Sequence, residues 1–130
     1  MSDRSPQIKA RSRRPAPKDR LTKTHEYHLV YTKGKRAKGH ILWAYCLCQK
    51  TGKKRLGISI GRKAIKKATG RNRLKRVVRA WFEANKADFK DVGCDIVITA
   101  KKDPGKTRQA LARIREELNM LFADVGLYKG

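Results

Sequence analysis

Between Glu26 and Glu83 the chain carries not one aspartate or glutamate, yet half of its 34 lysines and arginines lie in that interval. A solvated face normally mixes both signs of charge for solubility. An acid-free stretch inside a patterned segment points instead to a partner that supplies the missing negative charge. The whole chain shares the bias, with 34 Lys plus Arg against 11 Asp plus Glu and a formal net charge of +23. Self-repulsion of that size opposes compaction, and a polyanion relieves it. Two polyanions compete for the role. A membrane is set aside because no run approaches the roughly 18 apolar residues of a spanning helix and no lipidation box is present. A nucleic acid is therefore the expected partner, and no small-molecule substrate is expected.

With 130 residues and 39% hydrophobic content, the chain has material for one modest core. Residues 1–19 read as a disordered basic arm, because Pro6, Pro15 and Pro17 break any helix and Ile8 is almost its only large apolar side chain. Residues 20–130 then make a single binding domain. The arm has no apolar stretch for a secretory signal. The three cysteines are an odd number, so a reducing, cytoplasmic compartment is expected. Cys46 and Cys48 alternate within a strand pattern and share one sheet face. A zinc site would want a second Cys or His pair nearby, and none is spaced for it. The thiols, Cys94 included, therefore read as small core hydrophobes, with no protein-bound metal. His25, His28 and His40 lack the spacing for metal binding or catalysis and read as solvated.

Periodicity supplies the elements. Leu21, Tyr27, Val30 and Tyr31 fit one face of a short helix that stops at Gly34. A period-2 segment follows from His40 to Gln49, with Ile41, Trp43, Tyr45 and Leu47 facing one way. Thr51 and Gly52 make a turn, and Leu56, Ile58 and Ile60 alternate in a second strand, so the two strands are expected to pair as an antiparallel hairpin. From Ala68 to Lys86, Leu74, Val77, Val78, Trp81 and Phe82 form a helical apolar stripe. Asn72, Lys75, Arg76 and Arg79 fall on the opposite face. Cys94 to Ala100 is a buried strand, and Leu111, Ile114, Leu118, Leu121 and Phe122 mark a last helix ending near Gly126. The order α-β-β-α-β-α makes an α/β (α+β) domain with a small sheet.

The segment from Lys50 to Arg79 gathers thirteen positive charges around the longest helix. The strand's end and the helix start bring Arg62, Lys63, Lys66, Lys67 and Arg71 into one electropositive mouth, where the helix amino terminus adds its own partial positive charge. Arginine grips phosphate with two parallel hydrogen bonds, which suits Arg71 and Arg73 to fixed geometry. Here Gly57-Ile58-Ser59-Ile60, then Arg62-Lys63, Ala68 and Arg71-Asn72-Arg73-Leu74-Lys75-Arg76 resemble the signature of the bacterial ribonuclease P protein component. Arg20-Leu21, Lys23, Glu26-Tyr27, Val30-Tyr31 and Gly34-Lys35 resemble that family's first helix, and Ile96-Val97-Ile98 with the Leu-rich terminal helix completes the order. The likeness covers about residues 20–125. It departs around Ala64–Lys67, where the loop is one residue longer and lysine stands where the family commonly has glycine, so this loop is not matched position by position.

The resemblance implies a two-layer α/β sandwich, of a type also met in a ribosomal-protein domain, with a left-handed strand–helix–strand crossover. It implies that the partners are ribonuclease P RNA and precursor tRNA. The catalytic RNA would be bound by Arg62, Lys63, Lys67, Arg71, Asn72, Arg73, Lys75, Arg76 and Arg79. The single-stranded 5′ leader would lie in a cleft lined by Tyr27, Tyr31, Trp43 and one sheet face, where rings stack on bases without sequence preference. Two-metal phosphodiester cleavage needs clustered carboxylates or phosphates as ligands. The basic segment has no carboxylates, so the Mg²⁺ ions are expected on the RNA and this chain as an accessory subunit with no catalytic residue of its own. A basic ribosomal protein would share the charge, the arm and the small fold; a stand-alone metal nuclease would need the missing carboxylates.

Overall fold

The computed structural model describes residues 20–21, 23–49, 53–90 and 92–127; the basic arm and the Thr51–Gly52 turn lie outside the described residues. In chain order the elements are α1 (Thr24–Lys33), β1 (Lys35–Lys38), β2 (Leu42–Gln49), β3 (Lys54–Ser59), α2 (Ala68–Asn85) with a 3₁₀ turn at Lys86–Asp88, β4 (Gly93–Ala100) and α3 (Arg108–Asp124). The three helices fall where the apolar periodicity puts them, except that Leu21 precedes α1 and its N–H donates to the Leu56 carbonyl of β3 instead.

The sheet departs from the expected hairpin. Its order is β1-β2-β4-β3, so the consecutive strands β2 and β3 do not touch, and β4 lies between them. β4 runs antiparallel to β2 and parallel to β3. Every residue of β4 except Thr99 is buried, and a strand covered on both faces belongs inside a sheet rather than at its edge. β3 and β4 are thus parallel neighbours joined through α2, the expected strand–helix–strand unit. β1 was not expected at all. Its Lys-Arg-Ala-Lys sequence buries only Ala37, and charged side chains of this kind protect an edge strand from further pairing.

Alternation along the strands sorts side chains onto two faces. On one face Leu42, Ala44, Cys46, Leu56, Ile58, Cys94, Ile96 and Ile98 meet Leu74, Val78, Trp81 and Phe82 of α2 and Ile114, Leu118, Leu121 and Phe122 of α3. The rings of Trp81, Phe82, Phe89 and Phe122 pack together there, with Trp81 and Phe122 edge to face at 4.6 Å. Trp81 is core, as its place on the stripe predicts, and its indole N–H donates to Asn119 Oδ1. The opposite face carries a smaller cluster in which Tyr45 and Val97 of the sheet meet Leu21 and Val30, with Tyr27, Trp43 and Leu47 half-buried around them. α1 packs on this side, against β2 and β4.

Ile41 does not share the face of Trp43, Tyr45 and Leu47, contrary to the alternation. It precedes the strand and packs into the larger core with Leu42. The cause is Glu117 of α3. Its buried carboxylate accepts the backbone N–H groups of Ile41 and Leu42 at 3.0–3.1 Å, which turns the chain at the entrance to β2.

Candidate nucleic-acid interface

Ile65 is the buried anchor of the loop that enters α2, and its N–H and that of Ala64 both donate to the Gly61 carbonyl. This tight turn pushes Arg62 and Lys63 outward, and Lys66 and Lys67 stay exposed beside them. Arg71 then reaches back from the helix. One of its guanidinium nitrogens, Nη1, donates to the carbonyls of Ile65 at 2.9 Å and Lys66 at 2.8 Å. Arg71 therefore braces the loop and presents only the rest of its guanidinium outward. That is a structural share of its role which the sequence pattern concealed.

Along α2, Asn72 and Arg76 are exposed and Arg73 and Lys75 half-buried. None of Arg62, Lys63, Lys67, Arg73, Lys75 and Arg76 has an acidic partner among the described residues, where the ion pairs are Arg55 with Glu26 and Asp95, and Lys86 with Glu83. The first turn of α2 contains no acid either, and its N-cap, Lys67, makes no side-chain cap. The result is an uncompensated positive surface across the loop and the start of the helix. Arg79 stands apart from it. It is half-buried near Arg20 and Tyr27, and burial, then the like charge of Arg20, lowers its pKa.

The second surface lies between α1 and the sheet. Tyr27 is half-buried on Gly57, and its hydroxyl donates to the Leu21 carbonyl at 3.2 Å. Burial, with the neighbouring Tyr31, raises its pKa. Tyr31 is 38% exposed and meets buried Tyr45 edge to face at 4.7 Å. Trp43 is half-buried on the same face of the sheet. Three cations stand over its ring: Lys101 at 4.2 Å, Lys38 at 4.8 Å and Arg36 at 5.7 Å. A cation near an indole face is held by the ring quadrupole, so aromatic and cationic groups are presented together.

Arg36, Lys38, Lys101 and Tyr45 were not singled out from the sequence. The signal was the alternation in Lys35–Lys38, which puts Arg36 and Lys38 across from Tyr45 and Trp43 once β1 pairs with β2.

The acids on this side are already engaged. Arg55 grips Asp95 with two parallel hydrogen bonds of 2.9 Å and Glu26 with a third of 2.8 Å. These carboxylates, Asp95 first, raise the Arg55 pKa despite its partial burial. The network ties the start of α1 to β3 and β4.

One group of potential metal ligands occurs among the described residues, and it is sulfur only: Cys46, Cys48 and Cys94. Cys46 and Cys48 do share a sheet face, and Cys46 and Cys94 are buried as core packing requires, but Cys48 is exposed. The neighbouring Cys94 and burial push the Cys46 thiol up, whereas Cys94, beside both other thiols with Lys54 nearby, is shifted down. Thiols are poor ligands for Mg²⁺.

The fold and the two basic surfaces define a class: a small cationic α+β sandwich whose parallel strand pair is bridged by a basic helix. The ribonuclease P family model matches residues 16–126, and the chain belongs to that family. It is 31% identical over 112 residues to the ribonuclease P protein component of Clostridium kluyveri, covering 85% of this chain and 96% of that one. Among solved structures, the RNase P protein of Thermotoga maritima aligns with a TM-score of 0.63 at 30% identity, over 78% of this chain and 94% of that one. A Staphylococcus aureus RNase P protein mutant with defective mRNA degradation activity aligns with a TM-score of 0.74 over 85% and 90%; at 23% identity it speaks for the fold alone. Membership makes the chain a ribonuclease P protein component with a role in tRNA processing, and sets aside the ribosomal-protein alternative. No described helix is long and apolar enough to cross a membrane.

Proposed function

We propose that this chain is the accessory subunit that binds the catalytic RNA of ribonuclease P through the α2 surface and the 5′ leader of precursor tRNA through the cleft beside α1. Arg62, Lys63, Lys67, Asn72, Arg73, Lys75 and Arg76 face the catalytic RNA. Arg71 holds their loop in shape and adds its remaining N–H groups. Arg79, on the side of Arg20 and Tyr27, contributes where the two surfaces approach. Tyr31 and Trp43 stack on leader bases, while Arg36, Lys38 and Lys101 neutralise the phosphates between them. Tyr27 mainly supports the wall. The observation that carries this reading is Trp43, half-buried under three cations beside the Tyr31–Tyr45 pair. The described residues offer Mg²⁺ no carboxylate cluster, so the reactive metals are assigned to phosphates of the RNA. The protein acts by screening repulsion between the two RNAs and raising substrate affinity.

Reconstitution with the host's catalytic RNA at low Mg²⁺, scoring leader removal, tests it. Trp43→Ala should weaken binding of leader-bearing precursor by roughly 5- to 100-fold, the equivalent of one lost stacking contact, and leave binding of leaderless tRNA unchanged. Arg73→Glu with Arg76→Glu should impair assembly with the RNA instead. Equal effects of Trp43→Ala on both substrates would overturn the leader assignment, and cleavage by the protein alone with Mg²⁺ would overturn the accessory role.

A further inference from the structure

Three thiols form a compact group that neither RNA surface uses. Cys46 and Cys48 are two apart on β2 and so project to the face that carries α2 and α3. The antiparallel register then sets Cys94 of β4 directly across from Cys48. The Sγ atoms of Cys48 and Cys94 are 3.1 Å apart, those of Cys46 and Cys48 3.8 Å, and all three lie within 4.8 Å of one another. A cation with metal–sulfur bonds of about 2.3 Å places its sulfurs about 4 Å apart. The thiols stand within about 1 Å of that spacing, on the neighbouring strands β2 and β4. Lys35 is the register partner of Cys46 and Lys54 that of Cys94, so positive charge flanks the group and offsets the excess negative charge of three thiolates. Cys46 and Cys94 are buried and Cys48 is exposed, which leaves one side open for entry and for a fourth ligand.

We propose that Cys46, Cys48 and Cys94 form a three-thiolate site for a thiophilic closed-shell cation, Zn²⁺ or Cu⁺. Soft sulfur donors select these ions over Mg²⁺ or Ca²⁺. Cu⁺ is satisfied by three sulfurs, while Zn²⁺ completes its tetrahedron with water at the open side. Binding releases the thiol protons to solvent. The occupied site cross-links β2 to β4 and shields the thiols from oxidation. A disulfide would use only two of the three sulfurs, whereas a cation would engage all three, which lie within 4.8 Å of one another.

The test uses the full chain, purified reduced and metal-free, titrated with Zn²⁺, with Cu⁺, and with Co²⁺ as a spectroscopic stand-in. One equivalent should bind, Co²⁺ should give a sulfur-to-metal charge-transfer band, the melting temperature should rise, and all three thiols should resist alkylation. Cys48→Ser changes an exposed side chain and should keep the fold. It should weaken binding by about tenfold or more, since loss of even an outer-shell partner costs that much, while leader removal by the reconstituted holoenzyme stays at the wild-type level. Competition between the two ions identifies the preferred one. Absence of the charge-transfer band and of thiol protection overturns the proposal, as does unchanged affinity in Cys48→Ser. Formation of a Cys48–Cys94 disulfide in air by protein that binds neither ion would also overturn it, in favour of a redox pair.

Discussion

Glu117 lies in the middle of α3, yet its carboxylate ends at the entrance to β2, where it accepts the N–H groups of Ile41 and Leu42. Those donors have no ladder partner, and an unpaired buried N–H is costly. Glu117→Ala should therefore cost about 2–4 kcal/mol of unfolding free energy, read as a lower urea midpoint with unchanged slope. Gly39 records the same contact, because a Cβ there would come within bonding-clash distance of the Glu117 carboxylate. A signal for this residue was present in the sequence: position 117 is three after Ile114 and four before Leu121, on the apolar stripe. An acid on such a stripe announces a buried partner, but not which one. Arg71 shows the converse. Its motif marked it as a phosphate ligand, and only the folded loop reveals the two carbonyls it also holds.

At the scale of elements, the helices were legible and the sheet order was not. A 3.6-residue stripe is a local property, and it located α2 and α3 from Leu74, Val78, Ile114 and Leu118 alone. Strand pairing is decided between distant segments. The turn residues Thr51 and Gly52 suggested that β2 and β3 join directly, but β4, buried on both faces, takes the place between them because it has the most surface to bury. The docking of α1 depends on a close approach of the same kind. A Cβ on Gly57 would lie 2.6 Å from the Tyr27 hydroxyl oxygen and 3.0 Å from Leu21 Cβ. Gly57→Ala should thus displace Tyr27, break its hydrogen bond to Leu21 and lower stability by about 1–3 kcal/mol. Hydrogen exchange should quicken in residues 24–33 while β4 stays protected.

Over the whole molecule the charge of +23 is the dominant fact, and part of it is gathered on the loop and start of α2 and around Trp43. If the leader and the catalytic RNA together contact six to eight phosphates through single-strand-like segments, log K should fall with log salt at a slope of about −4 to −6. Equilibrium binding across a potassium chloride series measures it, and each of Arg73→Glu and Arg76→Glu should make the slope shallower with little change in melting temperature. The amino-acid order by itself determined the polyanionic partner, the three helices and the arginine-rich signature, because charge totals and helical periodicity need no knowledge of what lies opposite. Tertiary structure alone decided that Trp43 sits under three cations, that Glu26 and Asp95 are spent on Arg55, and that Cys94 stands against Cys48. Each of these joins residues many positions apart, and such contacts exist only once the strands have chosen their neighbours.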